Sequence, residues 1–149
     1  MIDYQSALAL EIAPVEQSYS EKDTILYSLG LGLGGNPTNE EELTFVYEVG
    51  LRAMPTMPVA MAFTSFRDIP LAVDYRKLVH GEQGLIVHQP LPVSGTVVGQ
   101  TFVRDVIDRG ADKGAMIYLE REIRNKEDDT HLASATMTAF CRVDGGVAG

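Results

Sequence analysis

The residues whose types could do chemistry gather in one short stretch, Leu78-Val79-His80-Gly81-Glu82-Gln83, followed by Val87-His88-Gln89-Pro90-Leu91-Pro92. Histidine is the side chain whose charge changes nearest neutral pH, so it can bind or move a proton under ordinary conditions. A glycine inside a strand-like run marks a place where a ligand can approach the backbone closely. The chain has three histidines. His88 alternates within a strand and His131 opens one after an acidic turn, so both read as solvated surface residues. His80, with Gly81 and Glu82 beside it, is the best placed; the plain alternative is a strand histidine satisfied by a backbone carbonyl.

Other chemistries find little support. No Gly-x-Ser-x-Gly elbow is present, and Cys141 lies in an apolar run with no histidine near it in sequence, so nucleophilic catalysis is not indicated. No Cys/His cluster has metal-ligand spacing, and no metal is expected. Gly30, Gly32, Gly34 and Gly35 resemble a phosphate loop only superficially. They follow a helix rather than a strand and lack a Gly-Lys-Ser/Thr ending, so they read as a helix C-cap and loop closing at Asn36-Pro37-Thr38.

The elements that would hold these residues follow from periodicity. Ser20 can cap a helix whose Asp23 reaches back to it, and Ile25, Leu26, Leu29 and Leu33 recur at helical spacing, with Tyr27 opening the opposite face. Leu43 to Glu48 reads as a short strand. Pro55 and Pro58 suit a helix entrance leading into Val59-Ala60-Met61-Ala62-Phe63, an apolar, small-residue segment expected to be a helix buried on most sides. From Lys77 onward the period changes to two, and 78–89, 96–108, 114–126 and 131–143 read as long strands. On the third, Ala115, Ile117, Leu119 and Ile123 mark one face, and Glu120, Glu122 and Arg124 the other. Turns at Val93-Ser94-Gly95, Arg109-Gly110-Ala111-Asp112 and Glu127-Asp128-Asp129 are too short for parallel crossovers, so the strands must pair antiparallel. A buried central helix wrapped by an antiparallel meander is an α+β fold of hot-dog type.

Composition bounds the rest. A chain of 149 residues, 45% hydrophobic and 22% charged, builds one core. We read a single domain over 1–144 and a glycine-rich tail or linker start over 145–149. A net charge of −9 argues against a general affinity for nucleic acid, which needs a basic face. It does not exclude an anionic ligand held by a local cluster. The lone Cys141 cannot form an internal disulfide. The chain opens on Met1-Ile2-Asp3-Tyr4, without a leader pattern, and no apolar run approaches the roughly 18 residues a membrane span needs, so a cytoplasmic protein with no membrane partner is expected.

Nearly the whole chain, from Ser18 to about Gly146, resembles the N-terminal half of the MaoC-like (R)-specific 2-enoyl-CoA hydratases, including the hydratase part of the peroxisomal multifunctional enzyme. The resemblance is carried by Tyr19-Ser20-Glu21-Lys22-Asp23 through Gly30, Leu43-Thr44-Phe45-Val46-Tyr47-Glu48, Met54-Pro55-Thr56, Val79-His80-Gly81-Glu82-Gln83, Pro90-Leu91-Pro92 and Val106-Ile107-Asp108-Arg109-Gly110. The His-Gly-Glu-Gln block and the Pro-Leu-Pro turn are its specific part. In that family this half looks like a binding half, and the resemblance places His80, Gly81 and Arg109 against an acyl-CoA thioester. Lysine often stands where this chain has Arg109, and the two cations differ in contact geometry. The family's catalytic half carries Asp-x-Asn-Pro-x-His; here Asn36-Pro37 remains, but Gly34 and Asn39 fill the aspartate and histidine places.

The resemblance therefore implies no catalytic residue in this chain, no cofactor beyond the coenzyme A thioester as substrate, and a second hot-dog half or a homo-oligomer as partner. Met54, Met57 and Met61 would be adaptable lining for an acyl chain, or simply core. Two rival readings stand beside it. One is a hot-dog acyl-CoA thioesterase using Glu82 or Asp74; the other is a non-enzymatic acyl-CoA-binding or assembly subunit.

Overall fold

Period-two alternation produces the long strands. In the computed structural model, which describes residues 2–146, β1 spans Val15–Tyr19, β2 Leu78–Val87, β3 Gly95–Asp108, β4 Ala115–Asn125 and β5 His131–Cys141. They form one antiparallel sheet in the order β1-β3-β4-β5-β2. β3, β4 and β5 make the expected meander. β2 does not pair with its sequence neighbour β3: the 88–94 stretch, with prolines at 90 and 92, carries the chain from one edge of the sheet to the far side, and β2 lies against β5. β1, absent from the sequence reading, closes the other edge against β3.

Along β4 the alternation is strict. Ala115, Ile117, Leu119 and Ile123 are buried on the inner face, while Met116, Tyr118, Glu120, Glu122 and Arg124 take the half-covered outer one. The inner face carries two apolar clusters. One gathers Ile2, Ile12, Phe66, Ile69, Ile117 and Cys141; the other gathers Tyr19, Met57, Met61, Val97, Ile123 and Leu132. Burying each such aliphatic side chain is worth about 1.5–3 kcal/mol, so the sheet is held chiefly from this side.

Three short helices accompany the sheet: α1 (Tyr4–Leu8), α2 (Glu21–Gly30) and α3 (Glu40–Leu43). α2 begins as expected, with the Asp23 carboxylate accepting from both the N–H and Oγ of Ser20 at 2.8 Å. Its leucine stripe faces outward, however, with Leu26 62% and Leu29 50% exposed. The buried face is Thr24 and Ser28, because the Thr24 hydroxyl donates to the Val93 carbonyl at 2.8 Å and docks the helix on the turn before β3.

Two expected elements are not formed. The predicted strand 43–48 is α3 and the turns after it, because Asn39 caps that helix by accepting from the N–H groups of Glu41 and Glu42. The predicted buried helix over 59–63 is a four-residue 3-10 turn, Met57–Ala60. Pro58 has no N–H and can stand only in a first turn. Ala62 then adopts φ 45° and turns Phe63 outward, 53% exposed. An irregular segment, rather than a long helix, covers this part of the sheet.

Candidate functional site

A β-bulge builds the first part of the site. The β2–β5 register steps from His80↔Ala139 to Glu82↔Thr138, leaving Gly81 as the extra residue. The bulge puts His80 and Gln83 on one face, with His80 Nε2 3.3 Å from Gln83 Oε1, and turns Glu82 to the other, where its carboxylate accepts from the Thr138 hydroxyl at 3.2 Å. At Gly81 an added Cβ would stand 3.2 Å from the Thr138 carbonyl oxygen. The glycine therefore lets the bulge lie close against the Thr138 backbone.

The β3–β4 hairpin builds the second part. Gly110 (φ 99°) and Gly114 (φ 78°) adopt the left-handed backbone that closes the loop. The Lys113 and Gly114 N–H groups donate to the Gly110 carbonyl at 2.9 and 3.1 Å. The Asp108 carboxylate accepts from the N–H groups of Gly110 and Gly146, both at 2.9 Å, and ties the hairpin to the end of the described chain.

Hairpin and bulge meet across β5. Gly81, Glu82, Arg109, Lys113, Met116, Thr138 and Phe140 line one open hollow of about 650 Å³ on the outer face. The Arg109 side chain donates from Nη1 to Met116 Sδ at 3.7 Å. Among the described residues neither Arg109 nor Lys113 forms an ion pair, whereas Arg76, Arg104, Arg124 and Lys126 all do. The structure thus brings Gly81 and Arg109 together and sets His80 on the opposite side of β2. Lys113 was not found from the sequence; its only signal was a second cation in the same glycine-bounded hairpin.

A second hollow is largely apolar, with Arg52, His88 and Gln89 also in its lining. Leu51, Ala53, Pro55 and Pro58 form one wall and Val87, Leu91 and Pro92 the other, enclosing about 460 Å³. Met57 and Met61 pack into the core behind it rather than lining it.

The remaining candidates resolve individually. His88 is exposed, as expected, and His131 half-buried, but the two are not separate. Their rings lie 4.2 Å apart, and both Nε2 atoms meet Ser134 Oγ, at 3.0 and 3.1 Å. An irregularity in the β4–β5 register at Leu132 turns His131 to the face of Ser134. Asn39 is a helix cap, and the Gly34 N–H donates to Glu42 at 3.0 Å. Asp74 caps the 3-10 turn Tyr75–Lys77, and hydrogen bonds from the Arg76 side chain and backbone hold its carboxyl below the usual carboxylate range. That makes it a poor general base. Cys141 is fully buried, which pushes its thiol up to about 11, with Asp144 adding to the shift. Among the described residues no three His, Cys, Asp or Glu side chains are grouped to hold a metal ion, and no helix is long and apolar enough to cross a membrane.

The sequence and the fold resemble those of known proteins. The enoyl-CoA hydratase ChsH3 of Mycobacterium tuberculosis is 30% identical over 99% of this chain and 53% of its own length. Among solved structures, the MaoC-like dehydratase of Phytophthora capsici superposes with a TM-score of 0.77 at 24% identity, over 97% of this chain and 50% of that one. The full-length peroxisomal multifunctional enzyme type 2 of Drosophila melanogaster gives a TM-score of 0.68 at 29% identity, over 91% of this chain and 25% of that one. The chain thus spans about half the length of ChsH3 and of the Phytophthora dehydratase, and a quarter of the Drosophila enzyme. The family model described as the MFE-2 hydratase 2 N-terminal domain matches residues 17–143, which take in β2 to β5 and the hairpin that bears Arg109, and the chain belongs to that family.

Proposed function

We propose that this chain is the acyl-CoA-binding, non-catalytic half of an (R)-specific 2-enoyl-CoA hydratase. Paired with a catalytic half, it takes part in the reversible addition of water to trans-2-enoyl-CoA, giving (R)-3-hydroxyacyl-CoA. The observation that carries this reading is the outer hollow. There Gly81 of the bulge lines the hollow beside Arg109 and Lys113, two cations that form no ion pair among the described residues. Coenzyme A is an anion that such a pair attracts even in an acidic chain. The apolar cavity of about 460 Å³ offers room for the acyl chain.

Hydration needs one group to take a proton from water and one to deliver a proton to the carbon next to the thioester carbonyl. Gly34 and Asn39 hold no titrating group at the places where the catalytic half carries its pair, and Asn39 is occupied as a cap. The proton transfers therefore fall to the other half, and this half binds and orients. No metal or redox cofactor enters the scheme. The partner joins along β2, whose outer edge is unpaired and whose Val79, Ile86 and Val87 are exposed.

The test follows the loss of the conjugated double bond of crotonyl-CoA and trans-2-decenoyl-CoA, with chiral analysis of the product. The chain alone is expected to be inactive, and its unit with a catalytic half to form the (R) alcohol. Turnover by the purified chain alone would overturn the non-catalytic assignment. An inactive complete unit would overturn the hydratase reading itself.

A further inference from the structure

Arg121 is the most unusual residue in the molecule. It lies on the inner face of β4, in register between Thr101 and Ala135, and is 7% exposed. Its Nη2 donates to the carbonyls of Val59 at 2.6 Å and Pro58 at 3.3 Å, and its guanidinium lies 5.4 Å from the centre of the Phe63 ring. Its Nε is buried without a hydrogen-bond partner among the described residues, and no ion pair to it is formed. A buried charge with no counter-charge is a poor way to stabilise a fold; an apolar side chain of similar volume often serves as well or better. Burial also pushes the Arg121 pKa down, in keeping with that cost.

What the guanidinium adds is position. The segment it grips is the 3-10 turn Met57–Ala60, whose own backbone hydrogen bonds are local, from Val59 to Thr56 and from Met61 to Pro58, both at 3.1 Å. Two further features fix the same segment. The Ala62 N–H donates to Gln17 Oε1 at 2.6 Å. Gly99, buried on β3, lets Ala62 approach so closely that an added Cβ would stand 2.5 Å from the Ala62 carbonyl oxygen. Pro58, whose carbonyl Arg121 holds, lines the apolar cavity opposite Val87 and Leu91.

We infer that Arg121 is a positioning residue that sets the wall of the apolar cavity, and through it the range of acyl-chain lengths the assembled unit accepts. This rests on the reading of the chain as an acyl-binding half. The side chain does not touch the acyl group; it acts through the Pro58 and Val59 carbonyls. A shift of this wall changes the room for the distal carbons of a long chain and leaves a short chain, which does not reach it, unaffected. Removing contact with a few methylenes costs about tenfold or more in specificity.

The variants are Arg121→Met, Arg121→Lys and Gly99→Ala, the last displacing the same segment from the opposite side. On the chain itself, hydrogen exchange reads the amides of Val59, Met61 and Ala62, bonded to the Thr56 carbonyl, the Pro58 carbonyl and Gln17. In Arg121→Met these amides are expected to exchange faster while the β4 and β5 amides keep their protection and the melting temperature holds or rises. In the complete unit, the ratio of kcat/KM for trans-2-decenoyl-CoA to that for crotonyl-CoA is expected to change about tenfold, Gly99→Ala doing the same and Arg121→Lys restoring part of the original ratio. Unchanged exchange at 59–62 in Arg121→Met would overturn the inference, as would equal loss for both chain lengths or a fall in melting temperature with the ratio intact. If Arg121→Met does not fold, Arg121→Lys and Gly99→Ala decide by the same two readouts. A wild-type unit that hydrates neither substrate sinks the hydratase reading, while the exchange measurement still decides the role of Arg121.

Discussion

At the scale of single residues, the proposed site depends on how little Gly81 occupies. Its φ lies outside the left-handed region, so a side chain there strains no backbone; the obstacle is space, with Thr138 O 3.2 Å from an added Cβ. Gly81→Val should therefore press on the Thr138 backbone and crowd the hollow beside it, weakening acyl-CoA binding by the complete unit about tenfold or more. Arg109→Glu reverses a charge that forms no ion pair among the described residues, so its loss should be greater at low salt than at high salt, where the screening length falls to about 3 Å. Lys113→Glu should follow the same trend. Calorimetry giving one affinity for all four proteins would remove the assignment. Cys141 predicts the opposite kind of outcome. With its thiol raised to about 11, only about one molecule in a thousand is thiolate at pH 8. A disulfide reagent should leave the native chain untouched and titrate one thiol after denaturation.

Elements were legible where the chain repeats a rule and illegible where a distant residue decides. β4 could be read outright because Ala115, Ile117, Leu119 and Ile123 recur at alternate positions, with Glu120, Glu122 and Arg124 on the other face. The 59–63 segment could not. A short apolar run looks alike as helix or irregular cover, and the carbonyls of Pro58 and Val59 are claimed by Arg121, far along the sequence. The start of α2 was readable from Ser20 and Asp23, but not its buried face: periodicity locates the leucine stripe without saying what covers it. Gly81 and Arg109 were reached through resemblance, whereas Lys113 and the His88–His131 contact exist only once β2, β4 and β5 are laid side by side.

Tyr19 shows how one element end is tied. Its hydroxyl closes β1 against the turn before β3, donating to the Pro92 carbonyl at 2.7 Å, and burial raises its pKa to about 12. Tyr19→Phe should cost about 1 kcal/mol in denaturant unfolding. The folded pKa lies above the unfolded value of about 10, so the neutral phenol's contribution is complete below that pH and is lost as pH rises toward 12. The wild type should thus lose stability more steeply than Tyr19→Phe across that window.

For the whole molecule, the open question is what covers its edges. The sheet ends at β1 on one side and β2 on the other. β1 is short, and Glu16, Gln17 and Ser18 are exposed along it, a polar edge that discourages further pairing. β2 is twice as long and presents Val79, Ile86 and Val87, exposed by 39%, 59% and 43%. A long edge with exposed apolar residues toward both ends is a template for another strand, and native proteins blunt or cover it. Leu26, Leu29 and Leu31 on and beside α2 add further apolar surface left uncovered by this chain. We therefore expect pairing through β2 with a second hot-dog domain, its own copy or the catalytic half, in one continuous sheet. Sedimentation at micromolar concentration should show the paired species, and the β2 amides should be protected from exchange although their strand is at an edge of the single chain. Replacing Val79 and Ile86 together by lysine puts two charges on that edge and should return the chain to its monomer mass of 16.3 kDa with β3, β4 and β5 intact. A wild-type chain that stays monomeric at that concentration and takes up no catalytic half would show that this edge is covered in another way.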